Sequence, residues 1–168
     1  RVLKMTSSKI GNEVPTGGEL TAVENELIAN LQQHTDGYFK YMNELEFRKA
    51  LNELRAIWVE GNNYISVSEP WTVIKTDAER AAAILRVCIN LIRIFAILSA
   101  PIMPDIAAKM FAKLHLDAKD MPSLKGFDIA KEIMAVEAGR PFEVGEMLFE
   151  RITPERVEEL KQQYGSKK

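Results

Sequence analysis

Apolar residues recur at helical intervals along most of this chain, and they predict an all-α fold. Glycines and prolines divide the pattern into separate helices, with clear breaks at Gly17, Pro70, Pro101 and Pro104. We expect one helix to end near residue 9 and the others to cover about 21–42, 44–64, 77–99 and 104–114. Short links between amphipathic helices are typical of an antiparallel bundle, so we predict a bundle of about five helices.

The third predicted helix carries the clearest amphipathic pattern. Its apolar residues form one stripe that we expect to face the core, and they are Phe47, Ala50, Leu51, Leu54, Ile57 and Trp58. Charged residues occupy the remaining faces of this helix. Trp58 is therefore predicted to be a core residue.

The fourth predicted helix is apolar on nearly every side. Its length suggests a membrane span, but Arg86, Asn90 and Arg93 interrupt it, and charges at the centre of a bilayer are costly. We predict instead a buried central helix whose N-cap is Asp77. Buried polar groups need partners, so Asn90 and Arg93 are expected to belong to a satisfied polar network.

The sequence changes in character after residue 116, where glycine and proline become frequent. A weak helical pattern remains near 129–136, and a last helix is expected after Thr153, a good N-cap that Pro154 follows. We therefore divide the chain into a helix bundle over 1–116 and a C-terminal extension over 117–168. The final short helix is expected to pack back on the bundle.

Composition narrows the classes of function. The chain has 168 residues, a net charge of −2 and 27% charged residues, the profile of a soluble globular protein. This balance gives no reason to expect a membrane as partner, although a local site can still bind RNA. The lone Cys88 is expected to be buried and reduced, which fits a cytoplasmic protein. His34 and His115 stand far apart in the sequence, so no metal site is predicted.

No catalytic motif is present in the sequence. It contains no phosphate-binding glycine loop, no nucleophile elbow and no cluster of His, Cys or paired carboxylates. The chain begins at Arg1 within a pattern that is already helical, which suggests the middle of a longer polypeptide. We therefore expect this piece to bind a partner rather than to catalyse a reaction.

The segment over 61–71 holds the strongest candidate for a binding site. Pro70 must end the preceding helix, and it fixes the backbone beside Trp71, which is either a core residue or a stacking platform for a base. Asn62 and Asn63 lie upstream, and their amides suit the edge of an unstacked base. Positive charges for phosphate contacts would come from Lys4, Lys75 and Arg80.

Several linked motifs resemble the C-terminal anticodon-binding domain of methionyl-tRNA synthetase, a class I aminoacyl-tRNA synthetase. The residues that carry the resemblance are those over 46–51, then Asn62 and Tyr64, then Pro70, Trp71 and Lys75, then Asn90 and Arg93, then Pro101 and Pro104. The segment over 148–152 also resembles the Leu-Phe-Pro-Arg-Ile tail of many bacterial members. The resemblance spans most of residues 1–115, and the tail segment extends it to the C-terminus. The shared spacing between the motifs makes the resemblance specific.

The resemblance implies an α-helical bundle that reads the CAU anticodon of tRNA(Met). It implies that Trp71 stacks beside the anticodon and that Pro70 holds it in place. The family's first helix supplies an Asn and, four residues later, an Arg, and these positions fall at Lys4 and Ser8 here. Lys4 can still reach a base or a phosphate, but Ser8 lacks the donors of an arginine. Recognition is therefore expected to depend more heavily on Trp71.

The resemblance also implies a larger parent enzyme, which joins methionine to tRNA(Met) using ATP and Mg²⁺ and releases AMP and pyrophosphate. The catalytic Rossmann domain of that parent is the implied partner of this piece, and the tail after Phe149 is expected to pack against it. No cofactor and no metal are expected in the piece itself.

Two other functions remain open from the sequence. The chain could be the anticodon domain of a sister class I enzyme, such as the isoleucine, valine, leucine or cysteine enzyme, which share these motifs loosely. It could also be a helical adaptor that binds a protein partner through Trp71. An adaptor would show an exposed apolar patch and no salt-dependent affinity for RNA.

Overall fold

The computed structural model describes residues 1–149 and 151–165, and Glu150 of the expected tail motif therefore lies outside the described residues. The helices are α1 (Val2–Lys9), α2 (Ala22–Asn43), α3 (Phe47–Ser68), α4 (Pro70–Val73), α5 (Ala78–Ser99), α6 (Pro104–Lys113), α7 (Ile129–Glu132) and α8 (Pro154–Tyr164). One turn of 3₁₀ helix covers Ala118–Asp120. Within the described residues there is no β-strand, so the predicted all-α fold is confirmed.

Helices α2 and α3 form an antiparallel hairpin that is closed by a link of three residues. The side chains of Asn30 and Glu60 lie 3.4 Å apart, and His34 Nδ1 lies 2.7 Å from a carboxylate oxygen of Glu53. The partner of a later residue on α2 thus lies earlier on α3, as an antiparallel pair requires. The predicted bundle arrangement is confirmed for this pair.

Helix α5 is the centre of the bundle, as the sequence predicted. It packs against α1, α3, α4 and α6, and its most apolar stretch is 78% buried. By length and composition alone it could cross a membrane, but this burial explains its apolar character within the fold. Asp77 caps its N-terminus by accepting a hydrogen bond of 2.9 Å from the backbone N–H of Arg80.

The buried row of α3 differs from the predicted stripe and is corrected here. The buried residues are Ala50, Leu54, Ile57, Gly61 and Tyr64. Phe47 and Leu51 are exposed, and Trp58 is only half-buried against the core. The row continues through Gly61 and Tyr64 because the glycine lets α5 approach closely and the tyrosine finds a buried polar partner.

The C-terminal extension contributes to the same core as the bundle. Its buried apolar residues are Phe127, Ile129, Ile133, Val136 and Phe142. The backbone N–H of Phe142 donates to the carbonyl of Asn12, and the N–H of Val14 donates to the carbonyl of Arg140. The division of the chain at residue 116 stays a prediction.

Helix α8 begins where the sequence predicted. The hydroxyl of Thr153 accepts a hydrogen bond of 3.3 Å from the backbone N–H of Arg156, and Pro154 occupies the first turn. None of its side chains is buried, however, so the expectation that it packs closely on the bundle is corrected. Its apolar side chains are few, namely Val157, Leu160 and Tyr164.

Candidate nucleic-acid interface

The corner between α3 and α5 presents Trp71 to solvent. Glu69 adopts the left-handed conformation, with φ of 39°, and α4 begins at once with Pro70. The backbone N–H of Thr72 donates to the carbonyl of Glu69 over 2.8 Å, so the turn bonds within itself. Pro70 is buried, while Trp71 is 42% exposed. The ring of Trp71 is therefore an exposed platform on a fixed corner and not a core residue.

Polar and apolar side chains that face solvent lead up to this platform along α3. Asn62 and Asn63 are both exposed, and Val67, one turn after Asn63, is 76% exposed. Within the part of the chain that the structure describes, neither amide makes a side-chain hydrogen bond. Their donors and acceptors are thus available to a ligand beside Trp71.

The two predicted positions on the first helix lie on a second element. Lys4 and Ser8 are both exposed and stand four residues apart, so they share one face of α1. The hydroxyl of Ser8 donates to the carbonyl of Met5 over 3.0 Å. Helices α1 and α4 each pack on α5, which is the element that connects Lys4 and Ser8 with Trp71.

The structure corrects the expected role of Arg80. Its guanidinium lies 2.6 Å from the carboxylate of Glu24, and the side chain is only 24% exposed. Arg80 is therefore occupied by an ion pair and is not a phosphate contact. Lys75 is exposed and, among the described residues, makes no ion pair, so it keeps the predicted role as a candidate.

The carboxylate of Glu24, which the sequence analysis did not select, joins three helices. One of its oxygens accepts hydrogen bonds from the hydroxyl of Tyr64 over 2.5 Å and from Arg80 over 2.6 Å. The other accepts from the backbone N–H and the hydroxyl of Thr21 over 2.8 and 2.7 Å. The available signal was the spacing Thr21-x-x-Glu24, which is typical of a capping box at a helix start.

These contacts shift the titration of both acidic groups. Burial alone would raise the pKa of Glu24, but the hydrogen bonds from Arg80, Tyr64 and Thr21 outweigh burial and hold that pKa at about 2. Burial, followed by the hydrogen bond to Glu24, raises the pKa of Tyr64 far above its ordinary value. Glu24 is therefore ionised and Tyr64 neutral at physiological pH.

Asn90 and Arg93 belong to a satisfied network in the core, as predicted. The Asn90 side chain accepts a hydrogen bond of 2.7 Å from the backbone N–H of Val136 and donates one of 3.0 Å to the carbonyl of Arg86. Arg93 lies 2.5 Å from the carboxylate of Glu132, and both side chains are largely buried. These groups hold the extension to α5 and do not form a binding face.

Cys88, His34 and His115 show no arrangement that would hold a metal. Cys88 is buried, and burial raises the pKa of its thiol to about 12. Across residues 1–149 and 151–165, no group of three or more His, Cys, Asp or Glu side chains is placed to bind a metal ion. The exposed corner, rather than a metal or a catalytic cluster, is the candidate site.

Several known proteins are similar to this chain. The model of the family described as the anticodon binding domain of methionyl tRNA ligase matches residues 14–168. The chain is 44% identical over 155 residues to a methionine–tRNA ligase of Cereibacter sphaeroides (strain ATCC 17025 / ATH 2.4.3), covering 92% of this chain and 26% of the relative. It is 42% identical over 164 residues to the methionine–tRNA ligase of Ruegeria sp. (strain TM1040), covering 98% of this chain and 28% of the relative. The chain thus spans little more than a quarter of these relatives.

Solved structures give the same result at the level of the fold. The free form of Mycobacterium tuberculosis methionyl-tRNA synthetase superposes with a TM-score of 0.71 and 25% identity, over 92% of this chain and 31% of that one. The same enzyme in complex with methionyl-adenylate superposes with a TM-score of 0.70 and 25% identity, over 90% of this chain and 29% of that one.

Proposed function

The chain belongs to the family of methionyl-tRNA ligase anticodon-binding domains, and on that premise we propose that it reads the CAU anticodon of tRNA(Met). The observation that carries this proposal is the exposure of Trp71 on a corner whose backbone is fixed by Pro70. An indole that is exposed on a rigid turn leaves apolar surface in unfavourable contact with water. A base that stacks on the indole would cover that surface, and such stacking contributes roughly 1–3 kcal/mol to binding.

The residues around the corner supply the other parts of a base-reading site. Asn62 and Asn63 carry exposed amides that match base edges with both donors and acceptors. Lys75 follows Trp71 by one turn, and its exposed ammonium suits a backbone phosphate of the anticodon loop. These exposed groups fall within the short stretch over 62–75, and we propose that a single splayed loop contacts them together.

Helix α1 provides a second, weaker contact in this proposal. Lys4 is exposed and reaches a base or a phosphate, whereas the short side chain of Ser8 is hydrogen-bonded to its own helix. Recognition therefore rests mainly on Trp71. We further infer that the bundle over 1–116 makes the RNA contacts and that the extension over 117–168 supports them.

The whole-protein activity follows by analogy with the relatives. We infer that this domain serves a cytoplasmic ligase that joins methionine to tRNA(Met) with ATP and Mg²⁺. The partner of the domain in that enzyme would be its catalytic Rossmann domain. Three exposed apolar side chains of the tail, Met147, Phe149 and Ile152, are candidates for that contact. The anticodon domains of sister enzymes and the adaptor function are not favoured, since the matching family and relatives are those of the methionine enzyme.

A fluorescence titration tests the proposal. The chain contains two tryptophans, so a Trp58→Phe variant leaves Trp71 as its only indole. We expect a CAU anticodon stem-loop to quench its emission saturably and an otherwise identical stem-loop with one anticodon base changed to bind at least ten times more weakly. Affinity should fall as salt rises, because phosphate contacts release counterions. Equal affinity for the two stem-loops would overturn the proposal.

A further inference from the structure

We propose that Glu24 is a positioning residue for Trp71, a role that rests on the anticodon reading proposed above. Its carboxylate binds both ends of the chain segment that carries the platform: Tyr64 precedes Pro70 and Trp71, and Arg80 follows them. One buried group on α2 thereby closes the base of the corner between α3 and α5.

The corner has few other polar links to the rest of the molecule. Its backbone N–H groups donate mostly to carbonyls of the corner itself, as from Thr72 to Glu69 and from Ile74 to Pro70. Side-chain bonds within the segment are also local, as from Ser66 to the carbonyl of Asn62. Among the described residues, the side-chain hydrogen bonds that leave the segment over 62–80 go to two residues, Glu24 and Thr21, which stand three positions apart on α2 and its N-cap.

Apolar packing alone fixes the corner less firmly at its tip. Pro70 is buried, but Trp71 is 42% exposed and Val67, on the same corner, is 76% exposed. Because the Trp71 ring packs against the protein on one side only, its position depends on a backbone that stays fixed. The two hydrogen bonds to Glu24 supply that constraint, because they tie α3 and α5 to the same oxygen atom.

Glu24 itself is held so that it can act as a fixed anchor. Its side chain is fully buried, and Thr21 binds its second oxygen through both the backbone N–H and the hydroxyl. The carboxylate therefore has no freedom to follow a moving corner. Loss of either the Tyr64 or the Arg80 contact would instead release one end of the segment.

Two matched tyrosine variants separate positioning from stability. Tyr64→Phe removes the bond to Glu24 and keeps the ring, and Tyr38→Phe removes a buried hydroxyl bond of 2.9 Å to the carbonyl of Leu98. Tyr38 stands about 20 Å further along α2 from Glu24, so its loss affects the far end of the bundle. Both variants are made in the Trp58→Phe background, and thermal unfolding confirms that each is folded.

The readouts are affinity for the CAU stem-loop and the fluorescence anisotropy of Trp71 in the unbound protein. We expect Tyr64→Phe to bind roughly 2- to 10-fold more weakly, the equivalent of one hydrogen bond, and to lower the anisotropy of Trp71. Tyr38→Phe should leave both values unchanged. Equal affinity and equal anisotropy in the two variants would overturn the positioning role.

Failure of the proposed function is distinguishable from failure of this inference. If the Trp58→Phe protein itself does not discriminate CAU from the changed stem-loop, the anticodon reading fails. The anisotropy comparison then decides the inference alone: a fall confined to Tyr64→Phe supports a corner held by Glu24, and its absence overturns it. Should Tyr64→Phe not fold, Arg80→Gln, which removes the cation that pairs with Glu24, replaces it, with the same two readouts and the same criteria.

Discussion

A Cβ atom built on Gly61 would lie 2.5 Å from Cζ of Phe95, so helices α3 and α5 touch at this glycine. The contact occurs just before the exposed residues Asn62 and Asn63, and one turn before Tyr64 reaches Glu24. Gly61 thus allows α3 and α5 to approach closely just before the corner that carries Trp71.

We expect Gly61→Ala to destabilise the fold. Overpacking against Phe95 costs about 1–3 kcal/mol, and the better helix propensity of alanine offsets about 1 kcal/mol of that cost. Urea unfolding measures the difference. Gly37→Ala in α2 is the matched control, because its new methyl group would meet only the flexible side chain of Glu53. A gain of stability for Gly61→Ala as large as that for Gly37→Ala would contradict the close contact.

Trp71→Ala should weaken stem-loop binding while the fold stays intact. Loss of the stacking surface is expected to cost roughly 1–3 kcal/mol of binding free energy. The unfolding free energy should change by less than about 1 kcal/mol, since the ring is 42% exposed. Trp58→Ala should do the reverse: its half-buried ring contributes about 2 kcal/mol to folding. A large fall in the melting temperature of Trp71→Ala would show that the ring belongs to the core.

Lys4→Ala is expected to lower stem-loop affinity modestly, and by a similar factor whatever the anticodon sequence. If Lys4 contacts a phosphate, the slope of log affinity against log salt should become shallower by about 1. Titrations at three salt concentrations measure that slope. Lys40→Ala, which removes an exposed lysine in the last turn of α2, should leave the slope unchanged. An unaltered slope for Lys4→Ala would refute the contact.

Glu132→Ala should destabilise the chain strongly by leaving Arg93 buried without a counter-charge. Breaking one side of a buried pair typically costs 3–5 kcal/mol, so we expect a loss of about 3 kcal/mol in chemical unfolding. Glu158→Ala removes an exposed partner of Lys161 and should cost less than about 1 kcal/mol. Similar losses in both variants would mean that the Arg93 pair does not hold the extension to α5.

The free energy of unfolding should depend on pH at acidic values because of Glu24. Its pKa is lowered from 4.5 to about 2 in the folded state, so the unfolded chain binds a proton first as the pH falls. The stabilisation is fully present above pH 4.5 and is lost as the pH falls towards 2. Unfolding free energies between pH 6 and pH 2 should therefore fall less steeply in Glu24→Gln than in the parent chain. Parallel curves would contradict the assignment.

The sequence predicted the helices well because their ends carry local chemistry. Asp77, Pro104 and Thr153 each mark a helix start through a cap or a first-turn proline, and all three helices begin there. The end of α3 was placed four residues early. Pro70 disfavours the right-handed helical conformation for the residue before it. Glu69 adopts the left-handed conformation instead, so α3 continues to Ser68.

The site was predictable only in part. The Pro70–Trp71 pair identified the corner, but whether the indole faces solvent depends on how α4 sits against α5, which no local pattern contains. The Glu24 contacts require the register of three helices at once. Arg80 looked available for phosphate because its partner stands 56 residues away in the sequence.

The backbone pairing of Asn12 and Val14 with Arg140 and Phe142 has a consequence for the order of folding. The α2–α3 and α5–α6 hairpins join neighbours in sequence, so they close short loops at little entropic cost. The pairing of residues 12–14 with 140–142 instead closes a loop that contains nearly every helix, and we expect it to form last. During synthesis on a ribosome, the backbone of residues 12–14 would thus pair only after residues 140–142 have emerged.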